Sequence, residues 1–304
     1  MNTANVCFTY LRIARFFARG DSLGYMWRGV YSTGMRLGLI GYPLAHSVSP
    51  AMHRAALQAA GLEGIYRLLE TPPDELESRV MEVRRGYRGV NVTVPHKVAV
   101  LPYLDEVSPE VQAIGAVNTI VNEEGRLVGH NTDAPGFTRA LEAAGVTARG
   151  LRAVVLGAGG AARAVVYALV QAGARVRVAN RTFARAKALA EVFGAEAVPF
   201  EGPEFVRAVR EADLLVNATS VGLNDPGASP IPEGVWPREA VVDIVYNPLE
   251  TRLLREARAA GLVAVDGLGM LVWQGALAFE LWTGRQAPVA AMHAAARAAL
   301  GEDA

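Results

Sequence analysis

Only two of the 30 basic residues are lysines, Lys97 and Lys187; the rest are arginines. Arg is in effect always protonated, whereas a lysine ammonium can be tuned to release its proton. A site that must both give and take a proton can use Lys and not Arg. Lys97 ends the run Gly89-Val-Asn-Val-Thr-Val-Pro-His-Lys, an apolar strand pattern. Lys187 lies in Ala-Lys-Ala-Leu-Ala-Glu, an ordinary amphipathic helix surface. Scarcity alone does not choose between them; the surroundings do. Strand alternation puts Val90, Val92 and Val94 on one face and Asn91 and Thr93 on the other. Three apolar residues anchor such a strand while two hydrogen-bonding groups face a cavity. Asn118 and Asp133 close two neighbouring segments. Each taken alone reads equally as a turn or cap residue, Asp133 because Pro135 starts a helix. In His46-Ser-Val-Ser-Pro50, Ser47 and Ser49 point the same way if the backbone is extended, at a helix N-terminus that favours an anion. Simple capping by Ser49 explains the same residues. Two Ser, two Asn, Thr, Lys and Asp together suit a polyhydroxylated small acid.

A second constellation begins at Leu151. Leu-Arg-Ala-Val-Val-Leu-Gly-Ala-Gly-Gly-Ala-Ala-Arg follows a strand and opens a helix, the context in which Gly-x-Gly-x-x-Gly/Ala binds a dinucleotide. Gly157 allows the tight turn, Gly159 lets backbone approach the pyrophosphate, and Ala162 takes the third position at the helix–sheet contact. The helix N-terminus offers free N–H donors to phosphate. An NAD site tends to carry Asp or Glu at the end of the next strand. Here that segment is Ala179-Asn-Arg-Thr-Phe-Ala-Arg, with no acid before Glu191. Arg181 and Arg185 stand where a 2′-phosphate would sit, and Asn180 and Thr182 add neutral hydrogen bonds. The cofactor expected is NADP(H).

These residues need a scaffold, and the chain alternates strand and helix from Arg36 onward. Strands are expected at 36–41, 65–70, 89–94, 151–156, 175–179, 213–217, 241–245 and 263–266. A hairpin is expected at 117–122 and 126–130 around Glu124-Gly125. Helices are expected at 50–60, 73–85, 135–144, 161–172, 182–193, 251–260, 270–284 and 288–300. Alternation at this spacing means α/β architecture with a parallel, doubly wound sheet. The 304 residues suffice for two domains, and 51% hydrophobic with 20% charged residues fits a globular protein with a sizeable core. Net charge is zero, so nucleic acid and anionic membrane are not expected as partners. No apolar run reaches the roughly 18 residues of a membrane span. The single cysteine, Cys7, leaves no internal disulfide, the five histidines have no metal-ligand spacing, and no metal is expected. A reducing cytoplasm is the expected compartment. Residues 1–34, with their Arg and aromatic residues, read as a loosely packed extension, an accessory helix or a start placed upstream of Met35. They make a poor targeting peptide.

Eight motifs now stand in order: His46-Ser-Val-Ser-Pro, Asn91-Val-Thr-Val-Pro-His-Lys, Gly115-Ala-Val-Asn-Thr, Asn131-Thr-Asp, Gly157-Ala-Gly-Gly-Ala-Ala-Arg, Asn180-Arg-Thr, Asn217-Ala-Thr-Ser-Val-Gly and Asp266-Gly-Leu-Gly-Met-Leu-Val-x-Gln274. Together they resemble the shikimate dehydrogenase family, from about Arg36 to the C-terminus. The resemblance implies two domains: a substrate-binding α/β domain of residues 35–134 plus 270–304, and a Rossmann-like, doubly wound NADP domain of residues 135–269. The C-terminal helices would return to the first domain. It implies NADPH-dependent, reversible reduction of 3-dehydroshikimate to shikimate, in chorismate and aromatic amino-acid biosynthesis. Lys97 and Asp133 match the family's catalytic pair. Ser47 and Ser49, with Tyr246, would hold the substrate carboxylate; Asn91, Thr93, Asn118 and Gln274 would bind ring hydroxyls. The cofactor would meet Gly157, Ala158, Gly159, Gly160, Ala161 and Ala162 in the turn. Asn180, Arg181, Thr182 and Arg185 would follow, then Thr219, and Ile244 and Gly267 near the nicotinamide. Ile244 stands where the family often has Met, and residues 1–34 have no counterpart. A monomer or homodimer is expected.

Three other readings compete. A quinate/shikimate dehydrogenase of broader substrate or cofactor range shares these motifs. Glutamyl-tRNA reductase also pairs a Gly-rich turn with a downstream Asn-Arg, but it needs a reactive Cys within the fold and a tRNA surface. A non-catalytic sensor of shikimate-type ligands would have no use for both Lys97 and Asp133.

Overall fold

The computed structural model describes residues 34–301; the extension expected before Met35 lies outside that range except for Gly34, as does Cys7. The first of two six-stranded sheets holds β1 (Met35–Gly41), β2 (Gly64–Glu70), β3 (Gly89–Val92), β4 (Glu106–Val107), β5 (Thr119–Glu123) and β6 (Arg126–His130), in the order β2-β1-β3-β5-β6-β4. Its β1 is parallel to β2 and β3, while β3–β5 and β5–β6 are antiparallel. Alternation suggested a parallel sheet; this one is mixed, because two residues join β5 to β6 and a parallel crossover needs a dozen or more. Glu124 and Gly125 both take positive φ, 55° and 96°, as a two-residue type I′ turn requires.

The helices in this part are α1 (Ser49–Ala59), α2 (Leu76–Gly86), α3 (His96–Ala99), α4 (Pro109–Ile114) and α5 (Asp133–Ala143). Two expectations need correction. Ser49 is not the cap of α1. The Val48 carbonyl already accepts the N–H groups of Ala51 and Met52, so Val48 caps the helix and Ser49 lies in its first turn. Nor does Val94 join the core. Pro95 has no N–H to continue a ladder, β3 stops at Val92, and Val94 is 68% exposed.

The second sheet holds β7 (Arg152–Leu156), β8 (Arg175–Ala179), β9 (Glu196–Val198), β10 (Leu214–Asn217), β11 (Ala240–Asp243) and β12 (Val263–Val265). All its pairings are parallel, in the order β12-β11-β10-β7-β8-β9. Counted from β7, this is the doubly wound order whose ligand crevice opens beyond the carboxyl ends of the paired strands β7 and β10, where their connections leave in opposite directions. Helices α6 (Gly160–Gln171), α7 (Phe183–Phe193), α8 (Gly202–Glu211) and α9 (Arg252–Ala259) flank it, followed by α10 (Gly267–Thr283) and α11 (Val289–Ala299). The expected elements omit β4, β9, α3, α4 and α8. Two or three residues carry too short a pattern for the strands. Helix α8 does show Phe205, Ala208 and Val209 at helical spacing, all buried.

Each sheet is covered on both faces. Helices α5, α6 and α7 bury one side of the second sheet, and α8 and α9 the other. In the first sheet, α2 and α4 cover one face, while α1, α10 and α11 cover the other. The C-terminal helices therefore do return to the first sheet. Helix α10 is apolar nearly all round, as a helix buried on several sides must be. Its Met270 joins the core of the second sheet, while Leu268, Val272, Phe279 and Trp282 join that of the first. It also lies along α5. There Gly136 leaves room for the close approach: a Cβ would stand 2.8 Å from the backbone nitrogen of Gln274.

Candidate active site

The register of the first sheet gathers its polar residues on one face. Leu37 pairs with Tyr66, Leu39 with Asn91, and Asn91 with Thr119, so Tyr66, Asn91 and Thr119 share the side covered by α1 and α10. Asn91 donates through Nδ2 to Thr119 Oγ1 (3.1 Å) and to the Asn118 carbonyl (3.3 Å), and accepts at Oδ1 from the Tyr66 hydroxyl (2.8 Å). Thr93, half-buried, follows β3 with its N–H on the Ile40 carbonyl.

Lys97 is fixed by backbone on both sides. The His96 N–H returns to the Thr93 carbonyl at 2.8 Å, and the Lys97 carbonyl accepts the Val117 N–H at 2.7 Å. The buried His96 ring closes on the Thr71 carbonyl. From that anchor Lys97 Nζ reaches Asp133 Oδ2 at 2.5 Å. The pair is 13% and 5% exposed, so water screens it little. Asn118 Nδ2 donates to the other oxygen, Asp133 Oδ1, at 2.9 Å, to Thr132 Oγ1 at 2.8 Å and to Gln274 Oε1 at 3.2 Å. Four expected site residues, Lys97, Asp133, Asn118 and Gln274, thus form one network. Lys187, by contrast, meets Glu191 at 4.0 Å on an exposed helix face.

Ser47 and Ser49 stand at the opening of α1, whose first N–H groups are engaged within the chain: the Val48 carbonyl takes those of Ala51 and Met52, and Pro50 has none. The Ser47 hydroxyl accepts the Ser49 N–H at 3.3 Å. Ser49 faces Tyr66 and Ser47 faces Tyr246. Burial raises the pKa of both phenols, against smaller lowering effects of the two serines. The hydroxyls of Ser47, Ser49 and Tyr246 beside a helix N-terminus form a neutral set fit for a carboxylate, while that of Tyr66 is given to Asn91.

The Gly-rich turn follows β7. Gly157 takes φ 111°, and a Cβ there would meet the Ala218 carbonyl at 2.8 Å. Gly159 is exposed, with open space where its Cβ would be, and α6 begins without a side-chain cap. Ala158, Gly160 and Ala161 are partly exposed in the same turn, and Ala162 is fully buried against the sheet. This open backbone cradle at an uncapped helix N-terminus fits a dinucleotide pyrophosphate. At the end of β8, Asn180 holds the Thr182 carbonyl at 3.0 Å. Thr182, Arg181 and Arg185 are exposed, and neither arginine has an ion-pair partner among the described residues. Two free guanidinium groups fit an additional phosphate.

Beyond β10, Asn217 accepts the Thr219 N–H and hydroxyl and donates to Asp243 Oδ1 at 2.9 Å. Asp243 also accepts from the Val245 N–H (3.1 Å) and Thr251 hydroxyl (2.8 Å). Burial lifts its pKa from the ordinary 3.8 to about 6 against those three bonds. The carboxyl thereby ties the Thr219 loop to the segment carrying Ile244 and Tyr246. Gly267 opens α10 with its backbone against Ile244, leaving no room for a Cβ.

The two halves meet at Lys97. A Cβ on Gly160 would stand 2.9 Å from Lys97 Cβ and 3.1 Å from its Cδ, so the Gly-rich turn lies against the lysine stem. Arg163 of α6 adds a bond from Nε to the Ile114 carbonyl at 2.6 Å. Tyr66, Thr119, Thr132 and Asp243 belong to this constellation but were absent from the expected set. Thr119 and Thr132 lie inside the Gly115-Ala-Val-Asn-Thr and Asn131-Thr-Asp motifs; Tyr66 and Asp243 gave no local signal.

Comparison with known proteins agrees with this geometry. Residues 39–120 match the shikimate dehydrogenase substrate binding domain, residues 140–226 the shikimate/quinate 5-dehydrogenase domain, and residues 267–297 the shikimate 5′-dehydrogenase C-terminal domain. A shikimate dehydrogenase (NADP+) of Thermus thermophilus is 58% identical over 268 residues, covering 88% of this chain and 99% of the relative. One from Symbiobacterium thermophilum is 50% identical over 279 residues, covering 88% and 95%. The crystal structure of a Thermus thermophilus shikimate 5-dehydrogenase, solved in complex with NADP(H) and shikimate, superposes with a TM-score of 0.82 at 57% identity. It covers 87% of this chain and 99% of that one. On sequence, domain content and three-dimensional similarity alike, the chain belongs to the shikimate dehydrogenase family.

Proposed function

We propose that this chain is an NADP-dependent shikimate dehydrogenase, interconverting 3-dehydroshikimate and shikimate in aromatic amino-acid biosynthesis. The observation that carries the reading is the meeting of the two halves. A shielded Lys97–Asp133 pair, continuous with Asn118 and Gln274, lies directly against the Gly160 end of a dinucleotide turn. Residues 35–134 with 270–304 serve the substrate, and residues 135–269 serve the dinucleotide. The cytoplasm is the compartment of such a step.

NADP, when bound, would accept the hydride in oxidation and, reduced, give it back. Gly157 through Ala162 would hold its pyrophosphate, and Asn180, Arg181, Thr182 and Arg185 its adenosine phosphate, with Thr219, Ile244 and Gly267 serving the nicotinamide. Ser47, Ser49 and Tyr246 hold the substrate carboxylate, while Asn91, Thr93, Asn118 and Gln274 hold its ring hydroxyls. Lys97 Nζ stabilises the oxygen at the reacting carbon and carries the proton, giving it in reduction and taking it in oxidation. Asp133 keeps the ammonium in place and orients the reacting hydroxyl.

The test follows reduced nicotinamide by its absorbance with shikimate, quinate or no substrate, each with NADP and with NAD. Turnover should be highest for shikimate with NADP. Equal or better kcat/KM with quinate would move the assignment to the broader enzyme, and turnover of neither would remove it.

A further inference from the structure

Asn91 lies in the substrate pocket of the proposed function, yet its amide is nearly spent. Both Nδ2 protons are directed at protein, to Thr119 Oγ1 and the Asn118 carbonyl. That carbonyl cannot donate, so the amide cannot be turned the other way. Oδ1 receives one bond, from the Tyr66 hydroxyl at 2.8 Å, and keeps one lone pair for a ligand. Tyr66 stands on β2, two strands from Asn91 on β3 and about 10 Å away across the sheet, a span that needs a side chain of tyrosine's length. Its ring stacks on His53, with centroids 4.3 Å apart and planes at 7°, and Trp282 packs at an angle against both rings, 5.4 Å from His53 and 6.4 Å from Tyr66. His53 is fully buried, and neither ring nitrogen has a hydrogen-bond partner among the described residues. Burial depresses its pKa to about 3 against a smaller raising effect of the neighbouring Asn91 side chain, so the ring is a neutral flat support beside that amide. Gly275, beside Gln274, lets α10 pass close over Met52, where a Cβ would collide with Cε, and against the edge of His53.

We infer that Tyr66 is a positioning residue of the substrate pocket: carried on His53, its hydroxyl locks the Asn91 amide so that Asn91 meets the substrate as a hydrogen-bond acceptor. The same hydroxyl faces Ser49, so it also links the hydroxyl-binding wall to the carboxylate end. The inference rests on the proposed activity.

The test is Tyr66→Phe, which keeps the stack and removes only the hydroxyl. One neutral hydrogen bond lost corresponds to roughly a 3- to 10-fold change. The KM for shikimate should rise by about that factor, with kcat, the KM for NADP and the unfolding midpoint little changed. In an Asn91→Ala background the same substitution should add less than about twofold, because the residue through which Tyr66 acts is gone. An unchanged shikimate KM, or an effect that persists in full without Asn91, overturns the inference. A wild-type protein that turns over no shikimate overturns the proposed function, and the inference with it.

Discussion

Lys97 and Asp133 form a buried charge pair, and such a pair makes a sharper prediction in combination than either residue does singly. Lys97→Met keeps the stem against Gly160 and removes the ammonium. Asp133, 5% exposed, is then left with Asn118 as its remaining side-chain donor. Breaking one side of a buried pair costs about 3–5 kcal/mol; the surviving Asn118 bond places this variant near 3. Asp133→Asn leaves the converse, a lysine 13% exposed without its carboxylate, at a smaller cost because water reaches it more readily. The double variant Lys97→Met/Asp133→Asn contains neither charge. Its stability should return to within about 1 kcal/mol of wild type, above both single variants. Activity behaves oppositely. Loss of a general acid costs roughly 10²–10⁴-fold in kcat, about 3–5.5 kcal/mol of barrier. Residues that act as one unit do not multiply their losses. The double variant should therefore be no slower than Lys97→Met alone. Urea unfolding and initial rates of shikimate oxidation measure the two quantities. Stability losses that add, or rate losses that multiply, would refute the pairing.

Three further outcomes follow from other parts of the structure. Lys97→Arg keeps the charge but cannot exchange the proton at working pH, so kcat should fall nearly as far as with Lys97→Met; recovered activity would make Lys97 an electrostatic clamp. Replacing both Arg181 and Arg185 by Ala should raise the KM for NADP by about 10-fold or more and leave that for NAD little changed, since each charged hydrogen bond is worth about 1.5–3 kcal/mol before solvent screening. Asp243 carries a folded-state pKa of about 6 against the ordinary 3.8. A raised pKa gives stability that is fully present below the unfolded value and lost as pH rises through the folded one. The loss between pH 4 and 6 amounts to about 3 kcal/mol. Asp243→Asn should abolish that part of the curve, so the variant gains on wild type as pH rises; parallel unfolding curves would contradict it.

The chemistry of the site was largely legible in the sequence because residue type and local spacing carry it. The Gly-rich turn announced itself between a strand and a helix, and it lies there, with Gly157 at φ 111°. Composition narrows the choice to Lys97 and Lys187 and the surrounding strand selects Lys97, while the missing acid at the end of β8 points to Arg181 and Arg185. The strand and helix periods were likewise local, and most elements fall within a residue or two of expectation. Errors arose where a long-range choice overrode a local one. Ser49 is a good cap by type, but the chain is already wound at Val48, so the hydroxyl is released for the pocket. Val94 alternates correctly with Val90 and Val92, but the ladder has ended before it.

Tyr66 shows why the remainder was hidden. Nothing within ten residues of it signals a polar role; Gly-Ile-Tyr-Arg-Leu-Leu-Glu reads as a strand with one aromatic residue turned inward. Its function depends on β1 lying between β2 and β3, on a register that aligns Leu37 with Tyr66 and Leu39 with Asn91, and on a helix more than 200 residues later that has a glycine where it crosses Met52 beside His53. Asp133 depends in the same way on Asn118 and Lys97, brought from two different strand ends. Individual polar residues of the pocket can be proposed from strand faces and caps alone. Their orientation, and hence whether each one gives or takes a hydrogen bond, is set by neighbours that only the folded topology supplies. Asn91 could donate or accept by residue type; the fixed carbonyl of Asn118 on one side and the Tyr66 hydroxyl on the other decide that it accepts.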